Sequence, residues 1–498
     1  MIRLALPGGR LTSEQYLAID ALADSFGKGS LRVTTRQGIQ FHFVTKENVK
    51  ALIRRVNKEL MTTYAGCGDV VRNITACPSP AADVEALGMG ELADAISRRY
   101  KPASSAYYDI WIDGEKVNGH NSIAEEEPLY GVTYLPRKFK IGVTGARDNC
   151  IDVLSCDLAL VIDDLDPDSI MVFAGGGLGR AHADDTTKAL LAKPLTRINR
   201  VQLFPVIDGV VSIQRDFGNR QDRDHARFKY LVEAWGTERL RDELSARAGF
   251  ELEAIGIHNF EESDDHLGWM EQDSLSLAYG IKVPNGRIVD SDIASYKSAL
   301  REIVTRYGAS LRFTAKEDVI VTDIPVDERQ GVLDILNSYG VRPAQDYSGV
   351  ARNAFACPAL PTCGLALAES ERFLPTFLNQ LTDLTEELHL DGIDLEVRMT
   401  GCPNGCARPY LGEIGIVGRS KRSYDIYLAA DRVGNRVGEI YAIDIANDSL
   451  IDALRPIFSL YGKESHPKEG FGDFCHRYGI EQLRRYAPEP RRRRVPVA

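Results

Sequence analysis

The sequence predicts an α+β protein made by internal duplication, in which two small α+β units pair about a pseudo-two-fold axis and each is followed by a larger α+β domain. Two observations carry this. The order strand, turn, helix, strand in the first 60 residues returns about 280 residues later, and both copies end on a shared motif. Arg72, Asn73, Ala76, Cys77 and Pro78 fall opposite Arg352, Asn353, Ala356, Cys357 and Pro358, and Thr34 falls opposite Thr314. The second observation is that TGCPNGC (400–406) lies opposite Thr144, Gly145, Ala146 and Cys150, so only the second half keeps all four thiols of a cysteine-rich stretch. The repeat divides the chain at 1–50, 51–260, 261–340 and 341–490.

In chain order, residues 2–7 alternate as a strand and Pro7-Gly8-Gly9 turns. Thr12 or Ser13 then caps an apolar-periodic helix through about Phe26. Residues 30–44 read as one strand, 46–60 as a helix, and AGCGDVVRNITACPSP as a loop that breaks the periodicity. In the second copy, YGIKVPNGRIVDSD leads to a helix through Tyr307 and the strand SLRFTAKEDVIV.

Whole-chain quantities exclude several classes. The 498 residues, 44% hydrophobic and 26% charged, suit a globular chain of several domains. A net charge of −11 argues against general nucleic-acid binding, and the 491–494 arginine run reads as a solvated terminus. No run of about 18 apolar residues offers a membrane span, and the apolar patch at the start is too short for a signal-peptide core. Nine cysteines, an odd number, speak against a disulfide framework and place the chain in a reducing compartment, a bacterial-type cytoplasm or an organelle matrix, with the cytoplasm expected.

Residues 356–410 carry the clearest chemistry. Cys357 and Cys363, then Cys402 and Cys406, read C-x5-C, 38 residues, C-x3-C. Thiolates from two loops can hold zinc or an iron–sulfur cluster, and spacing leaves both open beside plain buried thiols. Pro403, Gly405 and Pro409 leave backbone N–H groups free to face cluster sulfurs.

Cations gather in the first half: Arg3, Arg32, Arg36, Arg72, Arg137, Lys138 and Lys140. Lys138 and Lys140, two apart on an extended segment, share a face opposite Phe139, and Arg32, Arg36 and Gln40 share one by the same rule. Singly, such residues are solvated; together they form a pocket for a strongly anionic ligand. In the second copy Lys316 answers Arg36 but Gly280 answers Arg3, so the anion pocket belongs to the first half. MVFAGGGLGRAH places Gly175, Gly176 and Gly177 after a strand, as a backbone for close approach to an anionic cofactor or as a plain turn. Downstream, Arg215, Arg220, Arg223, Arg227 and Lys229 lead into a helix, some as surface pairs with Asp216, Asp222 and Asp224.

These residues, with LPGGRLT, LRVTTRQGIQFH, GDVVRN, DIWIDGEKV, EEPLYGVTYLPRKFK, RDFGNRQDR, ACPALPTCGLALAESERFLP, TGCPNGC and KEGFGDF, resemble the siroheme-dependent sulfite and nitrite reductase family over nearly the whole chain. The resemblance is strongest to its assimilatory sulfite-reducing branch. It implies two ferredoxin-like half-domains, with a substrate and siroheme pocket in the first large domain and the metal centre in the second. It implies that Cys357, Cys363, Cys402 and Cys406 ligate a [4Fe–4S] cluster, with Cys406 also the axial ligand of siroheme iron. Siroheme's eight carboxylates then account for the cations: Arg32, Arg36, Gln40 and Arg137 match siroheme contacts, and Arg3, Arg72, Lys138 and Lys140 match substrate-pocket positions. Gly175, Gly176, Gly177, Arg223, Lys229 and Asn404 complete the expected cofactor-binding set.

The implied reaction is six-electron reduction of sulfite to sulfide. Lys138 with Lys140 is the sulfite-type pattern, where family nitrite reductases carry asparagine at the second position; nitrite is expected as a side substrate. No flavin or nicotinamide module is legible, so an external ferredoxin or flavoprotein is expected to supply electrons. The alternatives are a ferredoxin-dependent nitrite reductase, a corrin-ring monooxygenase of related fold, and a non-enzymatic zinc scaffold on the same thiols. Family members carry a segment before the position of Met1 from which a tyrosine can join a cysteine at Cys67; with neither in this sequence, Arg3 is expected near a free end and Cys67 as an ordinary thiol.

Overall fold

The first helix forms where its cap predicts. Thr12 Oγ1 accepts from the Gln15 N–H (3.3 Å) and the Gln15 side chain accepts from the Thr12 N–H (3.2 Å). This capping box opens the helix Ser13–Phe26. The computed structural model describes residues 1–103, 111–112, 115–116, 127–182 and 184–489. Much of the DIWIDGEKV stretch and the 491–494 tail lie outside the described residues.

Residues 30–44 are a hairpin, not the single strand expected. Leu31–Val33 and Ile39–Phe41 pair antiparallel, with Arg32 opposite Gln40. Thr34 builds the turn, its Oγ1 accepting from the N–H groups of Arg36 (3.3 Å) and Gly38 (3.2 Å), while Gln37 takes φ 55°. The second copy repeats it: Leu311–Phe313 and Val319–Pro325 flank a turn in which Thr314 Oγ1 accepts from Asp318 N–H (3.0 Å) and Glu317 has φ 71°. Alternation runs straight through both turns, so period two alone does not locate them. Arg32 and Gln40 still share a face, by cross-strand pairing rather than along one strand.

The two small units exchange strands. Arg10–Leu11 of the first pairs with Leu311–Phe313 of the second, and Arg287–Ile288 of the second pairs with Leu31–Val33 of the first. Each unit thus completes the other's sheet, and Leu4, Ile39, Phe41, Ile281, Phe313 and Val319 share one buried cluster. This reciprocal pairing is the pseudo-two-fold relation.

The larger pieces repeat one topology. In the first, Thr75–Ala76, Ile141–Gly145 and Leu158–Ile162 run parallel, and Ser169–Ala174 and Lys193–Asn199 add antiparallel. In the second the same order is Phe355–Ala356, Val397–Thr400, Ile414–Ser420, Ser423–Leu428 and Glu439–Ala446. All four cysteines of the motif leave carboxyl ends of parallel strands or the loops just beyond, where open sheets present ligand sites.

Candidate active site

One cleft between the halves, enclosing about 1240 Å³ of non-protein space open to solvent, collects most of the predicted residues. Its walls include Cys357, Cys363, Cys402, Cys406 and Asn404 from the second half. From the first come Arg3, Arg32, Arg36, Gln40, Arg72, Lys138 and Lys140. Cys357 follows the strand Phe355–Ala356 directly, and Cys402 and Cys406 sit in the loop after Val397–Thr400. Gly405 turns that loop at φ +62°, where an added Cβ would also lie 2.8 Å from the Tyr410 ring.

The thiols differ in exposure. Cys357 and Cys402 are buried, Cys363 is intermediate and Cys406 is exposed to the cleft. Gly401 N–H donates to Cys357 Sγ at 3.4 Å and the Ser370 hydroxyl lies 3.3 Å from the same sulfur. Burial pushes the Cys357 thiol up to about 12, with Cys406 adding to the shift, and burial takes Cys402 to about 11 against the Asn404 N–H. These are thiols that ionise for a bound metal cation and stay neutral without one. Among the described residues no three of the four sulfurs approach within 4.8 Å of one another. A tetrahedral zinc site needs sulfur–sulfur edges of about 3.8 Å, and no three of these four sulfurs gather that closely among the described residues.

The cations split into two kinds. Arg32 is fully buried and already paired, 2.9 Å from Glu317, donating also to Val33 O (2.8 Å) and Ala356 O (2.5 Å). Its Nε makes no hydrogen bond but lies 3.6 Å from the Glu371 carboxylate. Arg3, Arg36, Arg72, Lys138 and Lys140, by contrast, have no carboxylate partner among the described residues. Arg72 donates to Gly68 O (2.6 Å) and Gly66 O (3.1 Å), and Arg36 to Asn73 O. Burial lowers Lys138 to about 8, with Arg227 adding repulsion, and lowers Lys140 well below the ordinary lysine value for the same two reasons. Arg36 is depressed by burial, and burial takes Arg72 to about 10. Clustered, desolvated positive charge without a counter-ion is a site for an anion. Phe139 packs on Phe228, with ring centres 5.5 Å apart, which leaves Lys138 and Lys140 facing the cleft as the alternation predicts.

Several predicted residues lie outside the cleft lining. Arg137 is half-buried beside Arg223, which pairs with Asp69 at 3.1 Å rather than with Asp222 or Asp224. Arg215 does pair with Asp216 (2.6 Å), while Asp222 takes His225 (2.7 Å). Lys229 is buried and donates to the carbonyls of Gly177 (3.1 Å), Gly179 (2.9 Å) and Lys188. It therefore shapes the glycine turn at 175–179, and that turn backs the cysteine loop, Arg180 N–H donating to Pro403 O at 2.9 Å.

Sequence reading missed Glu317 and Asp157, and it took Asn73 only as a repeat position and Arg227 only as one of the cations leading into a helix. Glu317 lines the cleft, and burial raises it to about 7 against the pull of Arg32. It occupies the repeat position of Gln37, which the Thr34–Thr314 alignment identifies. Asp157, paired with Arg227 at 2.9 Å, accepts from the Lys140 N–H at 2.8 Å and so fixes that lysine's backbone.

Fold and cleft together define a class: duplicated α+β proteins whose halves close a cleft lined by four thiols on one side and unpaired cations on the other. The family follows from comparison. The profile described as "Nitrite and sulphite reductase 4Fe-4S domain" matches residues 91–252, and "Nitrite/Sulfite reductase ferredoxin-like half domain" matches 1–59 and 270–339. The "Sulfite reductase [NADPH] hemoprotein beta-component" of Staphylococcus saprophyticus is 39% identical over 97% of this chain and 85% of its own length. The protein of that name from Anoxybacillus flavithermus is 40% identical over 96% of this chain and 84% of its own. The solved structure of the Mycobacterium tuberculosis NirA protein superposes with a TM-score of 0.77 over 97% of this chain and 84% of that one, at 22% identity, a likeness of fold. The chain belongs to the nitrite and sulfite reductase family.

Proposed function

We propose that this chain is the hemoprotein of a sulfite reductase, reducing sulfite to sulfide with six electrons and accepting nitrite as a side substrate. The observation that carries the reading is a single cleft seating Cys357, Cys363, Cys402 and Cys406 opposite Arg3, Arg36, Arg72, Lys138 and Lys140, none of these cations neutralised among the described residues. The four thiols would hold a [4Fe–4S] cluster, with Cys406 shared with siroheme. Arg32, Arg36, Gln40, Arg137 and Asn404 would hold the siroheme, backed by the Gly175, Gly176, Gly177 turn, Arg223 and Lys229. Siroheme and cluster supply the electron chemistry when bound.

The chain's own side chains supply charge and protons. Arg3, Arg72, Lys138 and Lys140 hold the oxyanion's oxygens, and their attraction strengthens as water leaves the cleft. A lysine near 8 gives up a proton at neutral pH more readily than an ordinary one, as departure of oxygen as water requires. Among the described residues no helix is long and apolar enough to cross a membrane, and the reading places the reaction in the cytoplasm. The relatives' names, with NADPH and a beta component, favour an NADPH-linked partner component over ferredoxin as donor. Purified cofactor-replete protein given chemically reduced viologen should yield sulfide; a protein replete in siroheme that yields none would overturn the reading.

Two further results are expected. Lys140→Asn should lower sulfite turnover by about 100-fold, the loss typical of one positioned donor, and nitrite turnover by less, because nitrite carries less negative charge. Equal losses in parallel steady-state assays would sink the sulfite assignment. Anion affinity should also fall as pH rises. Lys138 binds anions in its protonated form, which is populated below about 8 and lost above it. Nitrite keeps its charge across this range, and its affinity should drop about tenfold between pH 7 and 9 as the protonated fraction falls. A flat profile by spectral titration would count against Lys138 as an anion ligand.

A further inference from the structure

The counterpart of the four-thiol site in the first half is not empty of donors. Cys77 stands opposite Cys357 and Cys150 opposite Cys406, and with Asp148 and His266 they place one ligand atom each within 4.8 Å of one another. Cys77, Cys150 and His266 are buried and Asp148 is partly exposed. Cys77 Sγ lies 3.8 Å from His266 Nε2, and His266 Nε2 lies 3.5 Å from Asp148 Oδ2. Tetrahedral zinc, with bonds of about 2.3 Å to sulfur and about 2.0 Å to nitrogen or oxygen, sets ligand–ligand edges of about 3.3–3.8 Å. The measured spacings are close to these edges before any ion draws the donors in.

On the outer side Asp264 Oδ2 lies 3.5 Å from His266 Nδ1, placing a carboxylate beside the ring nitrogen that faces away from the site, and Asp264 N–H donates to Asp148 Oδ1 at 3.0 Å, leaving Oδ2 for the site. The fourth ligand arrives by a route the repeat does not share. Residues 262–268 run through the place that Arg3 takes in the first half: Gly280 is its counterpart, and a Cβ there would lie 1.8 Å from His266 O. The linker between the halves thus plugs the duplicate cleft and adds an imidazole to it.

We propose that Cys77, Cys150, Asp148 and His266 form a mononuclear zinc site that pins the 262–268 linker to the first large domain. Four protein ligands close the coordination, so the site is structural, and it is independent of the reaction proposed above. The decisive measurement is zinc content and zinc-edge X-ray absorption on full-length protein purified under reducing conditions from zinc-supplemented medium. About one zinc per chain should survive dialysis against EDTA, with two sulfur neighbours at about 2.3 Å. Cys150→Ser with His266→Ala should remove that zinc while cleft iron and siroheme absorption stay at wild-type levels. Wild-type protein with no bound zinc, or zinc without sulfur neighbours, overturns the proposal without recourse to any variant; so does zinc retained by the double variant.

Discussion

Cys406→Ser is expected to cut sulfite turnover by more than about 100-fold, since loss of a partner one shell further out from a metal already costs about 10–100-fold. Cys406 is the one of the four motif thiols exposed to the cleft, so it is the sulfur that can meet both the cluster and a cofactor on the cationic side. Its backbone is fixed from the other half of the chain: Thr35 Oγ1 donates to Cys406 O at 2.8 Å. Serine preserves that hydrogen bond and the side chain's shape but offers a hydroxyl that stays neutral at working pH. The variant should fold, lose the coupled visible spectrum and fail to make sulfide. Cys402→Ser, at a buried position, should instead lower iron per chain. Near-wild-type sulfide production by Cys406→Ser would refute the shared-ligand assignment.

What the sequence revealed of this site was what local chemistry encodes. The cysteine spacing, the alternation that turns Lys138 and Lys140 away from Phe139, and the Thr12 cap all depend on residues within a few positions of one another, and each is found where expected. The duplication was legible because both copies kept their turn and strand-end residues. Three features were not legible, each for a physical reason. The hairpin turns at 34–38 and 314–318 are built from polar residues that preserve the alternation of the strands they join. The neutralisation of Arg32 by Glu317 is a contact across 285 positions that no local pattern specifies. The strand exchange is likewise non-local, since Arg10–Leu11 is two residues long and meets its partner only in the paired fold. Arg32 therefore read as a free ligand cation, while the structure gives it a carboxylate first.

The same duplication makes one buried carboxylate a clasp between the halves. Asp152 and Arg408 are counterparts, each just beyond the loop that follows the second parallel strand of its sheet, and each left-handed, at φ 50° and 53°. Asp152 Oδ2 accepts from Arg408 and from Arg398 at 2.5 Å each, and Arg398 also meets Glu396 at 2.8 Å. Arg408 then donates to Thr35 O and Ala315 O, both 2.8 Å, the matching turns of the two small units. Burial alone would raise the Asp152 carboxyl, but Arg398 and Arg408 hold it at about 2. A depressed carboxyl stabilises the fold above its unfolded value of about 4 and loses that contribution as pH falls through about 2.

Asp152→Asn keeps the shape and removes the charge, leaving two buried guanidiniums facing a neutral amide, a change that costs about 3–5 kcal/mol. Because Arg408 lies two residues beyond Cys406, the loss should reach the metal loop as well. Asp152→Asn should therefore lower both the thermal midpoint of the holoprotein and its iron per chain. The reference is the exposed pair Arg455–Glu387, with side chains 41% and 58% accessible, whose loss through Glu387→Gln should leave the midpoint almost unchanged. If Asp152→Asn shifts the midpoint no further than Glu387→Gln and retains its iron, Asp152 is not a clasp between the halves.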